Sequence, residues 1–392
     1  MKNNRELGVV VYGATGYTGK LVAEYLNNQY GADGDVSWAM AGRSIDKLEA
    51  VRDELGISSK VPLIVTDAGD PASVRAMVER AAVVLTTVGP YQLYGSDLVA
   101  ACAEAGTDYV DLCGEPNWME EMINTHADAA KASGARIVFS CGFDSIPFDL
   151  GVLFLQEEAQ KSFGSPLSRV RGRVCGMSGV WSGGTLASFR ATMAAAAENP
   201  ELVASLMNPF ALTPGFTGAE QPSGMKPMYD EVMESWVAPF MMATINTKNI
   251  HRSNMLMNHR YGKDFVYDEM FVTGPGDEGE AMAKAVAGDK SMSTDTTQPG
   301  EGPTKEQRES GFYDVLFVGH TADGKSLRAR VTGDMDPGYG STSKIIAESA
   351  ICLLKNPETV AGGIWTPAPA MGSLLVDRLK RNAGLTFELE QA

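Results

Sequence analysis

Apolar residues in the first third of the chain alternate between two rhythms. Leu7–Tyr12 is a short β-branched run that breaks into glycines, and Tyr17–Tyr30 then places Leu21, Val22, Tyr25 and Leu26 on one helical face. The same exchange repeats. Strands are predicted at 36–41, 61–65, 82–88, 109–112 and 136–139, with helices at 44–55, Pro71–Arg80, Ser96–Ala105 and 118–132 between them. Strands apolar on both faces, separated by amphipathic helices, predict a parallel sheet covered on both sides.

After Cys141 the rhythm changes. Helices are predicted at 150–160, 185–197 and 239–261, strands at 169–177 and 265–273, and a hairpin of 312–318 with 326–331 across Asp323-Gly324. Residues 199–228 and 289–311 read as long loops, and the tail returns to helix at 343–355 and 371–381 before a strand at Leu385–Leu389. The fold class expected is therefore α/β, a Rossmann-type parallel sheet with a second α+β domain. The boundaries fall at 1–145 for dinucleotide binding, 146–335 for substrate or dimerisation, and 336–392 for C-terminal helices. A chain of 392 residues also favours more than one core.

Charge narrows the partners. The formal net charge is -16 and no Lys/Arg cluster forms a phosphate-tracking stripe, which argues against nucleic acid. No apolar run approaches the length of a membrane span, so the expected location is the cytoplasm. The cysteines at 102, 113, 141, 175 and 352 lack paired metal spacing, and with only four scattered histidines no metal site is expected.

The chemistry concentrates where the first strand meets the first helix. Gly13-Ala-Thr-Gly16-Tyr-Thr-Gly19 places glycines where a pyrophosphate meets a positive helix end, making Gly13, Thr15, Gly16, Tyr17, Thr18 and Gly19 candidate cofactor contacts. The second strand ends Ala41-Gly42-Arg43-Ser44, without the carboxylate that would bind a ribose 2'-hydroxyl. Arg43 and Ser44 suit a 2'-phosphate, so NADP is expected over NAD. Gly89, Pro90 and Tyr91 follow the fourth strand and Cys113 and Gly114 the fifth, at the sheet edge where cofactor and substrate meet.

Together with these elements, YVDLCGE at 109–115, GFDSIPFDLG at 142–151, SGGT at 182–185, PGEGP at 299–303 and DPGYGSTSK at 336–344 carry a family likeness. Along nearly its whole length the chain resembles the saccharopine-dehydrogenase-like NADP-binding oxidoreductases, in the branch similar to trans-acting enoyl reductases. The resemblance implies C-terminal helices that return toward the first domain, and a homodimer.

The function expected is hydride transfer from NADPH to an apolar or lipid-like acceptor such as an activated C=C. Two alternatives stand beside it: an NADP-binding regulatory or scaffold protein without turnover, and an imine reductase of saccharopine type. The reading leaves room for peripheral association with membrane lipid or with a synthase. Tyr91, Asp144, Ser145 and Tyr339 are the candidate catalytic groups, with helix capping as the alternative role of Asp144 and turn packing that of Tyr339. Met225, Met228, Met233, Trp236, Phe240, Met241, Met242, Met255 and Leu256 form a stretch suited either to an adaptable apolar cavity or to a core helix. Arg169, Arg171 and Arg173 alternate along a strand rather than clustering to hold a dicarboxylate.

Overall fold

Every β-branched run before Cys141 becomes a strand of one sheet. In a computed structural model, which describes residues 5–180, 182–298 and 300–390, the order opens β1 (Leu7–Tyr12), α1 (Tyr17–Tyr30), β2 (Trp38–Gly42), α2 (Ile45–Glu54), β3 (Leu63–Val65), α3 (Pro71–Arg80). It continues β4 (Ala81–Thr86), α4 (Tyr91–Tyr94), α5 (Ser96–Ala105), β5 (Asp108–Val110), α6 (Pro116–Ser133), β6 (Arg136–Val138). The second part runs α7 (Ile146–Phe163), β7 (Arg169–Ser178), α8 (Gly183–Glu198), α9 (Pro200–Met207), β8 (Met228–Asp230), β9 (Ser235–Pro239), α10 (Ala243–Leu256), β10 (Val266–Gly274). The last elements are α11 (Gly276–Ala287), α12 (Ser291–Thr294), α13 (Lys305–Glu309), β11 (Phe312–His320), β12 (Ser326–Gly333), α14 (Thr342–Lys355), β13 (Gly363–Trp365), α15 (Pro367–Arg378) and β14 (Leu385–Leu389).

The first sheet is parallel throughout, in the order β13-β6-β5-β4-β1-β2-β3. All six residues of β4 are buried, as a strand covered on both faces requires. Strand order reverses between β1 and β4, which sets the topological switch point beside the glycine turn. The second sheet is mixed, in the order β14-β12-β11-β7-β10-β9-β8, with only β7 and β10 paired parallel among its neighbours.

The C-terminal segment ties the two sheets together. Ile345, Ile346, Ala350 and Ile351 of α14 share one buried cluster with Val9, Val11 and Val83 of the first sheet and Val170 and Phe317 of the second. Glu348, wholly buried on α14, accepts from Tyr25 Oη at 2.7 Å and Tyr30 Oη at 2.6 Å on α1, and from Arg378 Nε at 2.8 Å on α15. A buried carboxylate with this many donors costs little to hold and much to unpair.

Several elements differ from those predicted. The expected helix 239–261 forms as the shorter α10, because Pro239 still belongs to β9, paired antiparallel with Met270, and the helix starts only at Ala243. The loop 199–228 contains α9, and 289–311 contains α12 and α13. α13 opens on a capping box in which Thr304 and Gln307 satisfy each other's backbone. The three residues of β13 are too few to show a period, and pairing with β6 makes them a strand. Helix α11 opens on a polar, glycine-bearing turn at Gly276 and Gly279 that carries no helical signal in the sequence.

Candidate functional site

The glycine turn is shaped by what a side chain would strike. Gly13 has φ +92°, and a Cβ on Gly19 would lie 2.1 Å from Gly13 O, so α1 can approach the turn only without one. Gly16 is exposed, and a Cβ there would meet only Gly13 O, at 3.3 Å, leaving the outer side open. Gly16 also begins α1 with no side-chain cap and no acidic residue in the first turn. The first N–H groups of α1 are thus left for an anion, as a pyrophosphate site needs.

Around this cradle the other predicted contacts fall as follows. Thr15 lies beside the end of β2, where a Cβ on Gly42 would be 3.6 Å from its Oγ1. Arg43 is exposed and makes no side-chain hydrogen bond or ion pair with the described residues, while Ser44 caps α2 by accepting from Lys47 N at 3.4 Å. A free guanidinium one residue beyond β2 fits a 2'-phosphate. Gly89 and Pro90 lie between β4 and α4, and Gly114 is exposed with open space where its Cβ would be. Cys113 is wholly buried: its amide donates to Asp111 Oδ1 at 3.0 Å, and burial raises its thiol well above the usual range. Tyr17 donates to Pro303 O, accepts from Arg308 at 2.9 Å, and packs edge-on against Tyr339 with ring centroids 5.3 Å apart. The 300–310 segment is therefore fastened over the start of α1. Pro299 of the PGEGP motif lies outside the described residues.

Beside the turn opens a cavity of about 460 Å³ that reaches from Thr18 on α1 to the second sheet. Its apolar wall includes Met177 of β7, Phe240, Met241 and Met242 ahead of α10, Phe271 of β10 and Met292 of α12. Three of the stretch of methionines and aromatics thus line a cavity, whereas Met225 and Met228 are exposed at the surface. Neither Arg, Lys nor His lines the cavity among the described residues.

Its polar groups are few and unlike one another. Tyr339 is buried; its Oη accepts from Ser182 N at 2.5 Å and shares a proton with Thr185 Oγ1 at 2.7 Å, and burial raises its pKa. Asp144 is half-buried, yet its Oδ1 is out of contact with solvent and has no hydrogen-bond partner. Burial pushes this carboxyl up to about 7. Asp289, on the opposite wall, accepts from Ser291 N at 2.8 Å and Oγ at 2.9 Å, which hold it below the usual carboxylate range. One carboxyl therefore stays ionised while the other is poised to carry a proton at neutral pH. The α7 helix starts at Ser145 without a side-chain cap, so Asp144 is not spent on capping.

Two predicted groups lie elsewhere. Tyr91 is buried with its Oη accepting from Leu112 N at 3.0 Å and directed to Thr86 O at 3.4 Å, its ring against Trp118. Ser145 is wholly buried and accepts from Asn249 Nδ2 at 2.8 Å. Neither lines the cavity, whereas Asp144 and Tyr339 both do. Thr185 and Thr342, which also line it, were not singled out in the sequence; each sits in a quoted motif, SGGT and DPGYGSTSK, and that was the available signal.

A glycine cradle at the switch point of a parallel sheet, a free arginine after the second strand and an adjoining apolar cavity define an NADP-dependent oxidoreductase. The comparisons with known proteins agree. The saccharopine dehydrogenase NADP-binding domain matches residues 9–138. A Mycobacterium tuberculosis protein provisionally named a trans-acting enoyl reductase is 38% identical over 413 aligned residues, covering 98% of this chain and 97% of the relative. A trans-acting enoyl reductase of Mycobacterium ulcerans is 36% identical over 405, covering 96% of each. Saccharopine dehydrogenase (L-Glu forming) from Saccharomyces cerevisiae shares the fold, with a TM-score of 0.56 at 12% identity over 98% of this chain and 100% of that one. The chain belongs to the saccharopine-dehydrogenase-like NADP-binding oxidoreductases, in the branch of the trans-acting enoyl reductases. Among the described residues no helix is long and apolar enough to cross a membrane.

Proposed function

We propose that this protein uses NADPH to reduce a carbon–carbon double bond conjugated to a carbonyl, in an apolar acceptor that enters the cavity between α1 and the second sheet. The observation that carries this is the cavity itself: aromatic and methionine walls, no cationic residue among the described ones, and a protonatable carboxyl with an unpaired oxygen. A dicarboxylic amino-acid imine would need cations there. Two of the three arginines of β7 are occupied instead: Arg173 pairs with Asp230 at 2.8 Å and Asp268 at 2.9 Å, and Arg169 pairs with Asp268.

The glycine turn and Arg43 would hold NADPH, which would supply the hydride. Tyr339, whose Oη is hydrogen-bonded to Thr185 Oγ1, turns its proton to the acceptor carbonyl oxygen and so stabilises the developing negative charge. Asp144 delivers a proton to carbon from its unpaired side. Met241 and Met242 adapt to the acceptor chain, and the segment carrying Met292 closes the cavity against water. The word trans-acting in the relatives' names supports a partner, a synthase presenting a bound enoyl chain. Two-fold pairing of the chain is carried as part of the same proposal, with a single monomeric species in sedimentation as the result that removes it.

The test follows NADPH absorbance while the protein meets enoyl thioesters or enones in one series and small 2-oxo acids with amines in another. Consumption with the enoyl series alone is expected. Consumption only with the imine-forming mixtures would overturn the reading.

A further inference from the structure

Behind the cavity wall lies a group of polar side chains that the reaction has not yet used. Side chains on one face of a strand recur every second residue, so Glu269 stands on the same face of β10 as Phe271, which lines the cavity. Glu269 is buried to 1% exposure. Its Oε1 accepts from Tyr267 Oη at 2.8 Å and its Oε2 from Asn246 Nδ2 at 2.9 Å. Gly172 faces it across the β7 ladder, where any side chain would strike Tyr267 Oη at 2.7 Å and Glu269 Cγ at 3.0 Å.

Asn246 and Asn249 follow each other at one-turn spacing on α10, both wholly buried. Asn246 gives its amine to Glu269 and Asn249 gives its amine to Ser145, the neighbour of Asp144. What each leaves over is the same atom: Asn246 Oδ1 and Asn249 Oδ1 are buried acceptors without a partner, and so are Asp144 Oδ1 and Asp149 Oδ1. Buried polar oxygens in a native protein find donors, so this group calls for protons or bound water. Among the described residues no three His, Cys, Asp or Glu side chains converge to hold a metal ion. Donors that can serve these oxygens include carboxyl O–H groups and water.

Resting on the reductase reading above, we propose that Glu269 is the proton store for Asp144, returning a proton along water held by the carboxamide oxygens of Asn246 and Asn249 after each turnover. Glu269 acts through Asp144 and does not touch the acceptor. Hydride reaches the β-carbon of the acceptor and the C=C electron pair moves to the α-carbon and carbonyl oxygen. The α-carbon takes the Asp144 proton, leaving a carboxylate. The Glu269 proton restores Asp144, and Glu269 is then recharged from solvent, so one hydride and one proton are consumed per bond reduced. Burial holds both groups in the range this needs, Glu269 at about 8 and Asp144 at about 7. Tyr267 and Asn246 act on Glu269 through hydrogen bonds, Arg173 from β7 as a charge that favours ionisation, and Asp144 as one that opposes it.

The experiment is an infrared titration of the protein alone, joined to a pH profile of turnover. In the unsubstituted protein a buried carboxylic-acid carbonyl stretch is expected at neutral pH, losing intensity as pH passes about 8. Glu269→Gln should remove that component while keeping single-turnover reduction within about twofold, because Asp144 begins protonated. Its steady-state alkaline limb should fall by about one pH unit, a roughly fivefold loss of kcat at pH 8. Tyr267→Phe, which removes a donor to the carboxylate, should move the limb and the infrared midpoint to higher pH, and it serves if Glu269→Gln does not fold. An unchanged infrared spectrum in both variants, or an unchanged alkaline limb with turnover intact, would overturn the proton store. Absence of enoyl turnover in the unsubstituted protein would strike the reductase reading instead, and leave the infrared result to decide on Glu269.

Discussion

The cofactor and acceptor halves of the proposed site are built by opposite means. The cofactor half is backbone: one turn of four residues between β1 and α1, glycines where a Cβ would collide, N–H groups left uncapped, and a single arginine after the next strand. The acceptor half is side chain, gathered from α1, the loop before α7, β7, the approach to α10, β10, α12 and the turn before α14. The first can recognise only what is common to one cofactor. The second can be remodelled one residue at a time, which lets one scaffold keep NADP and change acceptors.

If that division is right, damage to the first half should be severe and indifferent to acceptor. The largest effect is expected from Gly19→Val. Its Cβ would have to displace Gly13 O, and a strain of about 3 kcal/mol or more at the turn weakens both NADPH and NADH by roughly a hundredfold or beyond. Fluorescence titration with a folded variant checks it; unimpaired binding of either cofactor breaks the comparison.

Next in size, Arg43→Ala should weaken NADPH by about ten- to a hundredfold and leave NADH nearly unchanged, since a hydrogen bond to a charged group contributes roughly 1.5–3 kcal/mol. Equal losses for the two cofactors would mean that Arg43 holds the fold and not the phosphate.

How much of each half was legible follows from the same difference. The strand–helix alternation and the place of the glycine turn between β1 and α1 rest on consecutive residues whose meaning is local, so the order of these elements is legible in the sequence. The acceptor half depends on which distant segments meet. Asp144 and Tyr339 belong to motifs nearly two hundred residues apart, yet they line one cavity. Glu269 carries no motif, only a place on β10 that pairing with β7 turns inward. Tyr91 and Ser145 illustrate the converse: both stand in motifs, but their hydroxyls are committed to Leu112 N and Asn249. Pro239 misled the helix assignment because its role is set by Met270, a partner in another strand.

The acceptor half should respond to substitution selectively. Phe240→Ala enlarges the cavity and is expected to shift the preference between short and branched enoyl acceptors by about tenfold in kcat/KM, with NADPH affinity unaltered. A matching change in NADPH affinity would show the two halves are not separable.

The smallest effect is on stability. Asp111, Asp144 and Asp149 are raised to about 7 and Glu269 to about 8, so the folded protein binds more protons than the unfolded chain above the ordinary carboxylate range. Stability should then fall as pH rises. His251, lowered to about 3, works the other way below its ordinary 6.5, and Lys248, lowered to about 8, does so above that value. The window from about 6.5 to about 8 isolates the carboxyls, and the Tm is expected to drop by a few degrees across it. A rising Tm there would mean these groups are ionised in the folded protein.

The most direct measurement is of where the hydride goes. NADPH carrying deuterium on the transferred position is mixed with an enoyl thioester and the product is weighed by mass spectrometry. The expected product carries one deuterium, at the β-carbon, with a solvent proton at the α-carbon. Deuterium retained entirely in the cofactor with the enoyl series, and transferred only to an imine carbon with oxo acid and amine, would contradict the assignment.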